Sequence, residues 1–314
     1  MKDTYNRDID YLRISVTDRC NLRCMYCMPH GVQKKTHDEI LRDEEIIEIV
    51  TNAVSLGITK IRITGGEPLV RKGIYGLIQK IKQLDGVKEI AITTNGTLLI
   101  GNVKKLKDSG VSRINFSLDT LDDSKFKKIT QSELSFDYHQ LILELIEHQM
   151  QPIKINTVLL KGINDDEIND FIALANQYDI TVRFIELMPI GHLAFSQKEH
   201  FISKQEILEK HQNLVFESND KVTEYYSVIG HKGKIGFINP ISDKFCKSCN
   251  RIRLTADGYL LPCLHNNQEI NVKNSNQEEL LMKLRAAINA KPESHQLDQT
   301  FGTKSSRNMN KIGG

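Results

Sequence analysis

The chain has 314 residues, enough for one barrel-sized domain with an extension or for two modest domains. Its 42 basic and 40 acidic residues give a net charge of +2, which argues against bulk binding of nucleic acid or of a membrane surface. No apolar run is long enough for a membrane span, and residues 1–10 are too polar for a signal peptide, so we expect a cytoplasmic protein with no nucleic-acid or membrane partner.

The six cysteines fall into two sets of three, separated by more than two hundred residues without a cysteine. This distribution suits two metal sites better than a disulfide framework, provided that reducing conditions keep the thiols free. The first cysteine set is Cys20, Cys24 and Cys27, and the second cysteine set is Cys246, Cys249 and Cys263.

The first cysteine set follows an apolar run at residues 12–16 that predicts a β-strand. Its thiols therefore lie at the carboxyl end of that strand, where α/β barrels place their chemistry. The spacing C-x3-C-x2-C supplies three thiolates, and a 4Fe-4S cluster held by only three leaves one iron for a non-protein ligand. The alternatives are a partial zinc site, although no usual zinc spacing fits, and thiols that only pack.

Strand and helix patterns then alternate, which predicts an α/β fold with a parallel sheet. The first helix is predicted over residues 43–54, with three acidic residues in its first turn. Strands are predicted at residues 12–16, 60–64, 89–93, 113–118, 153–159 and 181–185. Six βα units without a dinucleotide fingerprint favour an incomplete (β/α)6 TIM-type barrel, although a Rossmann-like sheet fits the same pattern.

Beyond residue 185 the pattern changes and predicts a C-terminal α+β extension that closes the barrel and contains the second cysteine set. Its strands are predicted at residues 222–228, 234–238, 251–254 and 260–261, the last two flanking the hairpin signal Asp257-Gly258, and its helix at residues 277–290. From Lys291 onward the polar sequence predicts loose order. We expect a barrel domain at 1–190, the extension at 191–290 and a tail at 291–314.

Short polar motifs follow three of the predicted strands. Gly65-Gly66-Glu67-Pro68 follows the second strand, where the glycines allow close approach of a ligand and the Glu can accept from an amino group. Taken alone, the motif is weak evidence, because a tight turn between a strand and a helix with no role in ligand binding has the same sequence. Thr93-Thr94-Asn95-Gly96 and Ser117-Leu118-Asp119 end the next two strands, where they fit ribose or carboxylate binding and helix capping equally well.

Several cations lie inside predicted strands that are otherwise apolar. A buried charge is costly without a partner, so some of these side chains should point into a cavity that holds an anion. Each could instead pair with a local carboxylate or extend to solvent. Because the chain has no GxxxxGK[ST] sequence, side chains rather than a P-loop would bind any phosphate. The residues are Arg13, Arg62 and Lys154, together with Arg251 and Arg253, which share one face of a strand.

The second cysteine set, with the spacing C-x2-C-x13-C, supports two interpretations. A structural zinc site completed by His265 is one, and a second 4Fe-4S cluster is the other. The spacing does not separate them.

The chain resembles the GTP 3',8-cyclase family of molybdenum cofactor biosynthesis, which belongs to the radical S-adenosylmethionine (SAM) superfamily. Its motifs occur in family order: LRISVTDRCNLRCMYCMP, IRITGGEPLVR, TTNG, INFSLD, RFIELMPIG, FCKSCNRIRLTADGYLLPCL and a terminal IGG, which departs slightly because Lys311 replaces the usual aromatic. The resemblance implies that SAM, bound to the open iron of the first cluster, yields a radical that takes hydrogen from ribose C3' of GTP. The C3' radical then attacks guanine C8.

The resemblance also implies roles for individual residues. It implies two 4Fe-4S clusters, held by the first and second cysteine sets, with the second cluster facing guanine. The implied SAM contacts are Tyr26, Gly66, Ser117 and Met188, and the implied GTP contacts are Arg13, Arg62, Thr93, Lys154, Arg251, Ile252 and Arg253. Arg13, Gly313 and Gly314 are expected to be catalytic, because a double-glycine end can enter a narrow channel and place its carboxylate against Arg13.

The implied partners are GTP, a reductant such as flavodoxin or ferredoxin and a downstream cyclic pyranopterin monophosphate synthase, with a homodimer left open. Two other functions fit part of the sequence. A radical SAM enzyme that modifies a peptide would use an auxiliary cluster but would need neither the Arg251 and Arg253 pair nor the glycine end. A non-enzymatic zinc or iron–sulfur binding module would need only the cysteines.

Overall fold

The computed structural model describes residues 1–28, 35–190, 198–297 and 307–313, and within these ranges it contains twelve β-strands and eight α-helices. The strands are β1 (Tyr11–Ser15), β2 (Lys60–Thr64), β3 (Glu89–Thr94), β4 (Arg113–Ser117), β5 (Lys154–Leu159), β6 (Thr181–Glu186), β7 (Leu214–Asn219), β8 (Glu224–Val228), β9 (Lys234–Ile238), β10 (Arg251–Leu254), β11 (Tyr259–Leu261) and β12 (Ile270–Asn271). The helices are α1 (Asp43–Ser55), α2 (Ile74–Lys82), α3 (Val103–Asp108), α4 (Asp123–Thr130), α5 (Tyr138–Glu147), α6 (Ile168–Tyr178), α7 (Lys204–Lys210) and α8 (Gln277–Asn289). None of the helices in this part of the chain is long and apolar enough to cross a membrane.

All the strands belong to one sheet, in the order β12-β11-β10-β1-β2-β3-β4-β5-β6-β9-β8-β7. Strands β1 to β6 are neighbours in sequence order and pair in parallel, and at least one helix follows each of them. A parallel pair requires such a crossover connection. The predicted α/β fold with a parallel sheet is therefore confirmed, and each of the six predicted strands lies within about one residue of its predicted bounds.

The strands of the C-terminal part extend both edges of this parallel sheet. The hairpins β8–β9 and β10–β11 are antiparallel, as the sequence predicted. In addition, β9 pairs in parallel with β6 and β10 pairs in parallel with β1. These pairings supply partners for the backbone groups that the edges of a six-stranded sheet would leave open. The domain boundaries at residues 190 and 290 stay predictions.

Alternate residues along the central strands face two different environments. On β1, Leu12 and Ile14 are fully buried in the core between sheet and helices, whereas Tyr11 and Arg13 line a cavity on the opposite face. The two-residue repeat of a strand produces this separation. Apolar and charged residues therefore alternate along one strand without disturbing each other, and each charged side chain points toward the cavity.

Phe184 on β6 offers a test of core packing, because its ring is 1% exposed and contacts the rings of Phe171 and Phe237. Phe184→Ala should lower the free energy of unfolding by about 3–5 kcal/mol through lost burial and a residual cavity. The matched control is Phe216→Ala on β7, where the ring is 52% exposed and the expected loss is below about 1 kcal/mol. Urea denaturation followed by circular dichroism measures both, and equal losses would contradict the assignment of the core.

Candidate active site

One cavity of about 610 Å³ lies against the inward face of the sheet. Side chains from every strand between β1 and β6, and from β9 and β10, contribute to its wall. Strands at opposite edges of the parallel sheet can line one cavity only if the sheet curves around it. The curvature therefore brings residues that are far apart in sequence to a common space.

The two cysteine sets line opposite ends of this cavity. Cys20 follows β1 at the carboxyl end of the parallel strands, whereas Cys249 precedes β10, which pairs in parallel with β1. Cys263 returns to the same end as Cys249, because β11 is antiparallel and pairs Leu261 with Arg253. With about 3.3 Å per residue, the five residues of β1 separate the two ends by roughly 16 Å.

The thiols of the first cysteine set are enclosed next to a carboxylate. Burial raises the pKa of Cys20 and Cys24, and that of Cys27 to about 12, and the Asp119 carboxylate raises the pKa of Cys24 further. Tyr26 donates a hydrogen bond of 2.7 Å to Asp119. The site therefore disfavours three bare thiolates, and a cationic iron core would supply the missing positive charge and release the protons. These residues fit a 4Fe-4S cluster.

Single-ion geometry is a separate question. Within the described ranges, no three His, Cys, Asp or Glu side chains are placed to hold one metal ion. The statement also covers the second cysteine set together with His265, the predicted fourth zinc ligand. The His265 ring is buried and lines the cavity. Burial, followed by the neighbouring His295, lowers its pKa to about 2. Both cysteine sets nevertheless lie on the cavity wall, where a larger group can bind between the side chains.

Gly66 is packed against the loop of the first cysteine set. A Cβ at this position would lie 2.4 Å from the carbonyl oxygen of Arg19, and the Gly66 amide donates to Thr17 at 2.8 Å. Only glycine therefore allows the turn after β2 to contact this loop. Gly66, Tyr26, Ser117 and Met188 line the same cavity, so the structure brings together the four residues that the family resemblance assigns to SAM.

Glu67 is a buried carboxylate between two turns. Its side chain is 1% exposed and accepts hydrogen bonds from Leu69, Thr94 and Asn95 at 2.7–3.0 Å, which accounts for both carboxylate oxygens. Burial outweighs these bonds and raises its pKa to about 7. Glu67 therefore joins the turns after β2 and β3, and its acceptance of a hydrogen bond from a ligand amino group stays a prediction.

Three arginines lie side by side on the cavity wall between the cysteine sets. Strand register places Arg13 between Arg253 on β10 and Arg62 on β2. Burial, followed by the charges of Arg253 and Arg62, lowers the pKa of Arg13 well below its usual value. Arg62 bonds the Tyr11 hydroxyl and, at 3.1 Å, the Thr93 hydroxyl. These two hydroxyl oxygens are neutral and do not cancel the charge of Arg62, so this part of the wall favours an anion.

The same wall continues on β5 and β6. Lys154 donates to the Tyr225 hydroxyl at 3.1 Å, and burial together with neighbouring Arg183 lowers its pKa to about 8. Arg183 is 8% exposed, lines the cavity and donates to Asn156 at 2.7 Å. Sequence reasoning missed Arg183, although it lies in an apolar strand like Arg62 and the same rule would have found it. By contrast, Ile252 is fully buried in the core, so only its backbone could meet a ligand.

Around the second cysteine set, sequence reasoning missed a buried lysine. Lys291 is 3% exposed and donates to the Arg251 carbonyl at 2.6 Å and the Pro262 carbonyl at 3.0 Å. His295 and Leu297 are also buried, so the expectation of loose order from Lys291 onward is wrong for residues 291–297. These contacts explain the order, because the Lys291 amine donates hydrogen bonds to backbone carbonyls of distant segments.

The C-terminal segment enters the cavity. Arg253 donates to the carbonyl oxygens of Ile312 and Gly313 at 3.2 and 2.9 Å. Gly313 has a φ of +71°, and a Cβ there would lie 2.6 Å from the Thr64 hydroxyl, so both backbone and space require glycine. Gly314, and with it the expected contact between a terminal carboxylate and Arg13, lies outside the described residues.

Two sequence families match the chain in succession. The Radical SAM superfamily matches residues 14–175, and the Molybdenum Cofactor Synthesis C family matches residues 180–297. The chain is 49% identical over its full length, and the full length of the relative, to "GTP 3',8-cyclase" of Alkaliphilus oremlandii, and 48% identical to that of Clostridium botulinum with the same coverage. The chain belongs to the GTP 3',8-cyclase family of the radical SAM superfamily. Membership implies a 4Fe-4S cluster and SAM.

Solved structures share the fold at low sequence identity. Streptococcus suis SuiB bound to S-adenosylmethionine aligns with a TM-score of 0.62 and 16% identity over 86% of this chain, which spans 64% of SuiB. The structure of anSMEcpe with bound AdoMet aligns with a TM-score of 0.56 and 16% identity over 88% of this chain and 82% of its own. This likeness shows the radical SAM fold and nothing finer.

Gly66→Ala tests the contact between the turn after β2 and the loop of the first cysteine set. The added methyl group must displace the Arg19 carbonyl, so we expect the variant to bind at least about one cluster less after anaerobic reconstitution. Gly76→Ala is the matched control, because a Cβ there meets no atom within 4 Å. Iron and sulfide assays measure the loss. Full iron content in Gly66→Ala would show that the two loops need not touch.

Proposed function

We propose that this protein converts GTP to (8S)-3',8-cyclo-7,8-dihydroguanosine 5'-triphosphate, an early step of molybdenum cofactor synthesis. The observation that supports this most directly is a cation-lined cavity between two cysteine sets, in a chain 49% identical from end to end to a GTP 3',8-cyclase. A nucleoside triphosphate matches the charge of that cavity, and its length suits a site whose ends are roughly 16 Å apart.

The first cysteine set would hold the 4Fe-4S cluster to which SAM binds, with Tyr26, Gly66, Ser117 and Met188 around SAM. SAM bound there supplies the radical that removes a hydrogen atom from the ribose. The side chains of this chain hold the reacting partners at a fixed distance and keep water out, which is the main contribution of a protein to cofactor chemistry. The Tyr26–Asp119 hydrogen bond fixes the aromatic ring next to the thiols.

The second cysteine set would hold a second 4Fe-4S cluster in an extension that closes the barrel. Guanine would lie at this end, beside Arg251 and the backbone of Ile252. The triphosphate would lie along Arg62, Lys154 and Arg183, while Thr93 and Arg13 contact the ribose region. This orientation places ribose between the two cysteine sets, so C3' faces the end where SAM binds.

The tail would complete the site through Arg253. Because Arg253 already donates to the Ile312 and Gly313 carbonyls, the tail fixes the direction of its guanidinium in the cavity. Gly313, and Gly314 beyond it, would then keep Arg13 and Arg253 aligned with the substrate while the ring closes.

Peptide modification is the second candidate, because SuiB is also known bound to the precursor peptide SuiA and shares the fold at a TM-score of 0.62. At 16% identity that likeness carries no substrate information. A triphosphate matches the positive charge of Arg62, Arg251 and Arg253 on the cavity wall better than a neutral peptide backbone does, so GTP is favoured. The reductant would be a flavodoxin or ferredoxin, and a cyclic pyranopterin monophosphate synthase would use the product in the cytoplasm; a homodimer remains a prediction.

Anaerobically reconstituted protein with GTP, SAM and a reductant tests the function directly. We expect about eight irons per chain and cyclised GTP, detected by mass spectrometry. Cys24→Ala should stop SAM cleavage, whereas Cys249→Ala should keep some SAM cleavage but form no cyclised product. Four irons per chain would contradict the second cluster. Absence of product from protein with both clusters would contradict the function.

The lowered pKa of Lys154 predicts a pH dependence of GTP affinity. Below a pKa of about 8 the amine is charged, and above it the charge is lost, so the dissociation constant should rise as pH passes 8, by at most about tenfold per unit. Lys154→Arg keeps its charge and should flatten this dependence. Equilibrium dialysis with labelled GTP from pH 7 to 9 measures both proteins. Ionisation of GTP affects both equally, so parallel curves would contradict the role of Lys154.

The tail makes a separate prediction. Deleting Gly313 and Gly314 should leave iron content and GTP affinity largely unchanged but abolish cyclisation, and Gly313→Ala should lower product formation at least about tenfold because its methyl group meets Thr64. Gly73→Ala is the control, since Gly73 has a similar φ of +76° but an open surrounding. Product assays should show near-normal activity in Gly73→Ala. Normal cyclisation by the truncated chain would make the tail dispensable.

A further inference from the structure

Lys291 is a buried lysine with three acceptors around its amine. The residue lies just after α8, and its Nζ is 2.6 Å from the Arg251 carbonyl, 3.0 Å from the Pro262 carbonyl and 3.6 Å from Cys249 Sγ. A lysine ammonium has three N–H groups and accepts none, so these three partners match its donors one for one. The amine is therefore held in one place against a sulfur atom.

The three acceptors belong to the two segments that bear the second cysteine set. Arg251 is the first residue of β10 and Cys249 lies two residues before it, whereas Pro262 precedes Cys263 just after β11. Two carbonyls would be enough to hold these segments together. The third bond, to a thiol sulfur, is the contact that a purely structural role leaves unexplained, because burying the charge of a lysine is costly.

The surroundings of the two cysteine sets differ in charge. At the first set, the donors to Cys20 Sγ from the described part of the chain are neutral: the Leu22 amide at 3.4 Å and the Asn95 amide at 3.8 Å. The charged neighbours there are of both signs: the Glu67 carboxylate and the Arg23 guanidinium act on Cys20, and the Asp119 carboxylate acts on Cys24. At the second set, Cys249 Sγ instead accepts from a charged donor, the Lys291 ammonium at 3.6 Å.

We propose that Lys291 is a positioning residue that raises the reduction potential of the cluster held by the second cysteine set above that of the cluster held by the first. The inference rests on the proposed function, because it requires the second cluster. Reduction adds one electron to [4Fe-4S]²⁺ and gives [4Fe-4S]⁺, with no bond made or broken. A positive charge and an N–H donor at a ligand sulfur stabilise the more negative, reduced form.

The experiment is a redox titration of holoprotein, followed by electron paramagnetic resonance without SAM or GTP. Two backgrounds isolate the clusters: Ala at Cys20, Cys24 and Cys27 leaves the second, and Ala at Cys246, Cys249 and Cys263 leaves the first. In the background that keeps the second cluster, Lys291→Gln should lower its midpoint potential by at least about 59 mV, a tenfold change in a one-electron equilibrium. Lys291→Arg should recover part of this shift.

Lys247→Gln is the matched control, because Lys247 lies between Cys246 and Cys249 but is exposed, where water screens its charge. Its variant should keep the wild-type midpoint. An unchanged midpoint in Lys291→Gln with the cluster bound would overturn the inference and leave the proposed function intact. Four irons in the unmodified chain would overturn the inference by removing the second cluster, whereas absence of cyclised GTP from protein with both clusters would overturn the proposed function. If Lys291→Gln loses the cluster, the midpoint potentials of the two clusters are compared in the two cysteine-to-alanine backgrounds that retain Lys291. A midpoint potential of the second cluster at or below that of the first would overturn the proposal.

Discussion

Several positive charges are buried on the inward face of a parallel sheet, and the rest of the structure must offset the cost of burying them. Moving one such ion out of water costs several kcal/mol even after the protein relaxes. Arg13, Arg62 and Arg253 each bear this cost, and they also repel one another because strand register makes them neighbours. The fold tolerates them because the other face of the same strands packs Leu12, Ile61 and similar side chains into a continuous apolar core. A polyanion in the cavity would relieve the remaining repulsion.

Topology then determines which residues lie at each end of that cavity. Because β10 joins β1 in parallel, the segment before β10 lies at the opposite end of the sheet from the loop that follows β1. Two cysteine sets more than two hundred residues apart are thereby placed at the two ends of one cavity. An antiparallel β10 would have moved Cys249 to the end that already holds Cys20. The parallel pairing of a C-terminal strand is thus what gives the site its length.

Local patterns predicted the six central strands, α1, α8 and the β10–β11 hairpin, because periodicity and turn signals depend on neighbouring residues. They did not predict that β9 and β10 pair with β6 and β1, since such contacts form between residues far apart in sequence. β7 was missed because most of its side chains are exposed and give no alternating pattern. The cysteines and Arg62 could be found from residue type and position. Lys291 could not, because its acceptors are backbone atoms of another segment.

The tail orients one arginine of the cavity wall without cancelling its charge. Arg253 donates to carbonyl oxygens of Ile312 and Gly313, which carry partial rather than full negative charge. These bonds orient the guanidinium without neutralising it, so its charge would still attract an anion in the cavity. A carboxylate side chain in the same place would orient it equally well but would cancel that charge and repel a triphosphate. Backbone carbonyls therefore orient Arg253 and also leave its charge intact. They can reach it because Gly313 has no Cβ to collide with Thr64.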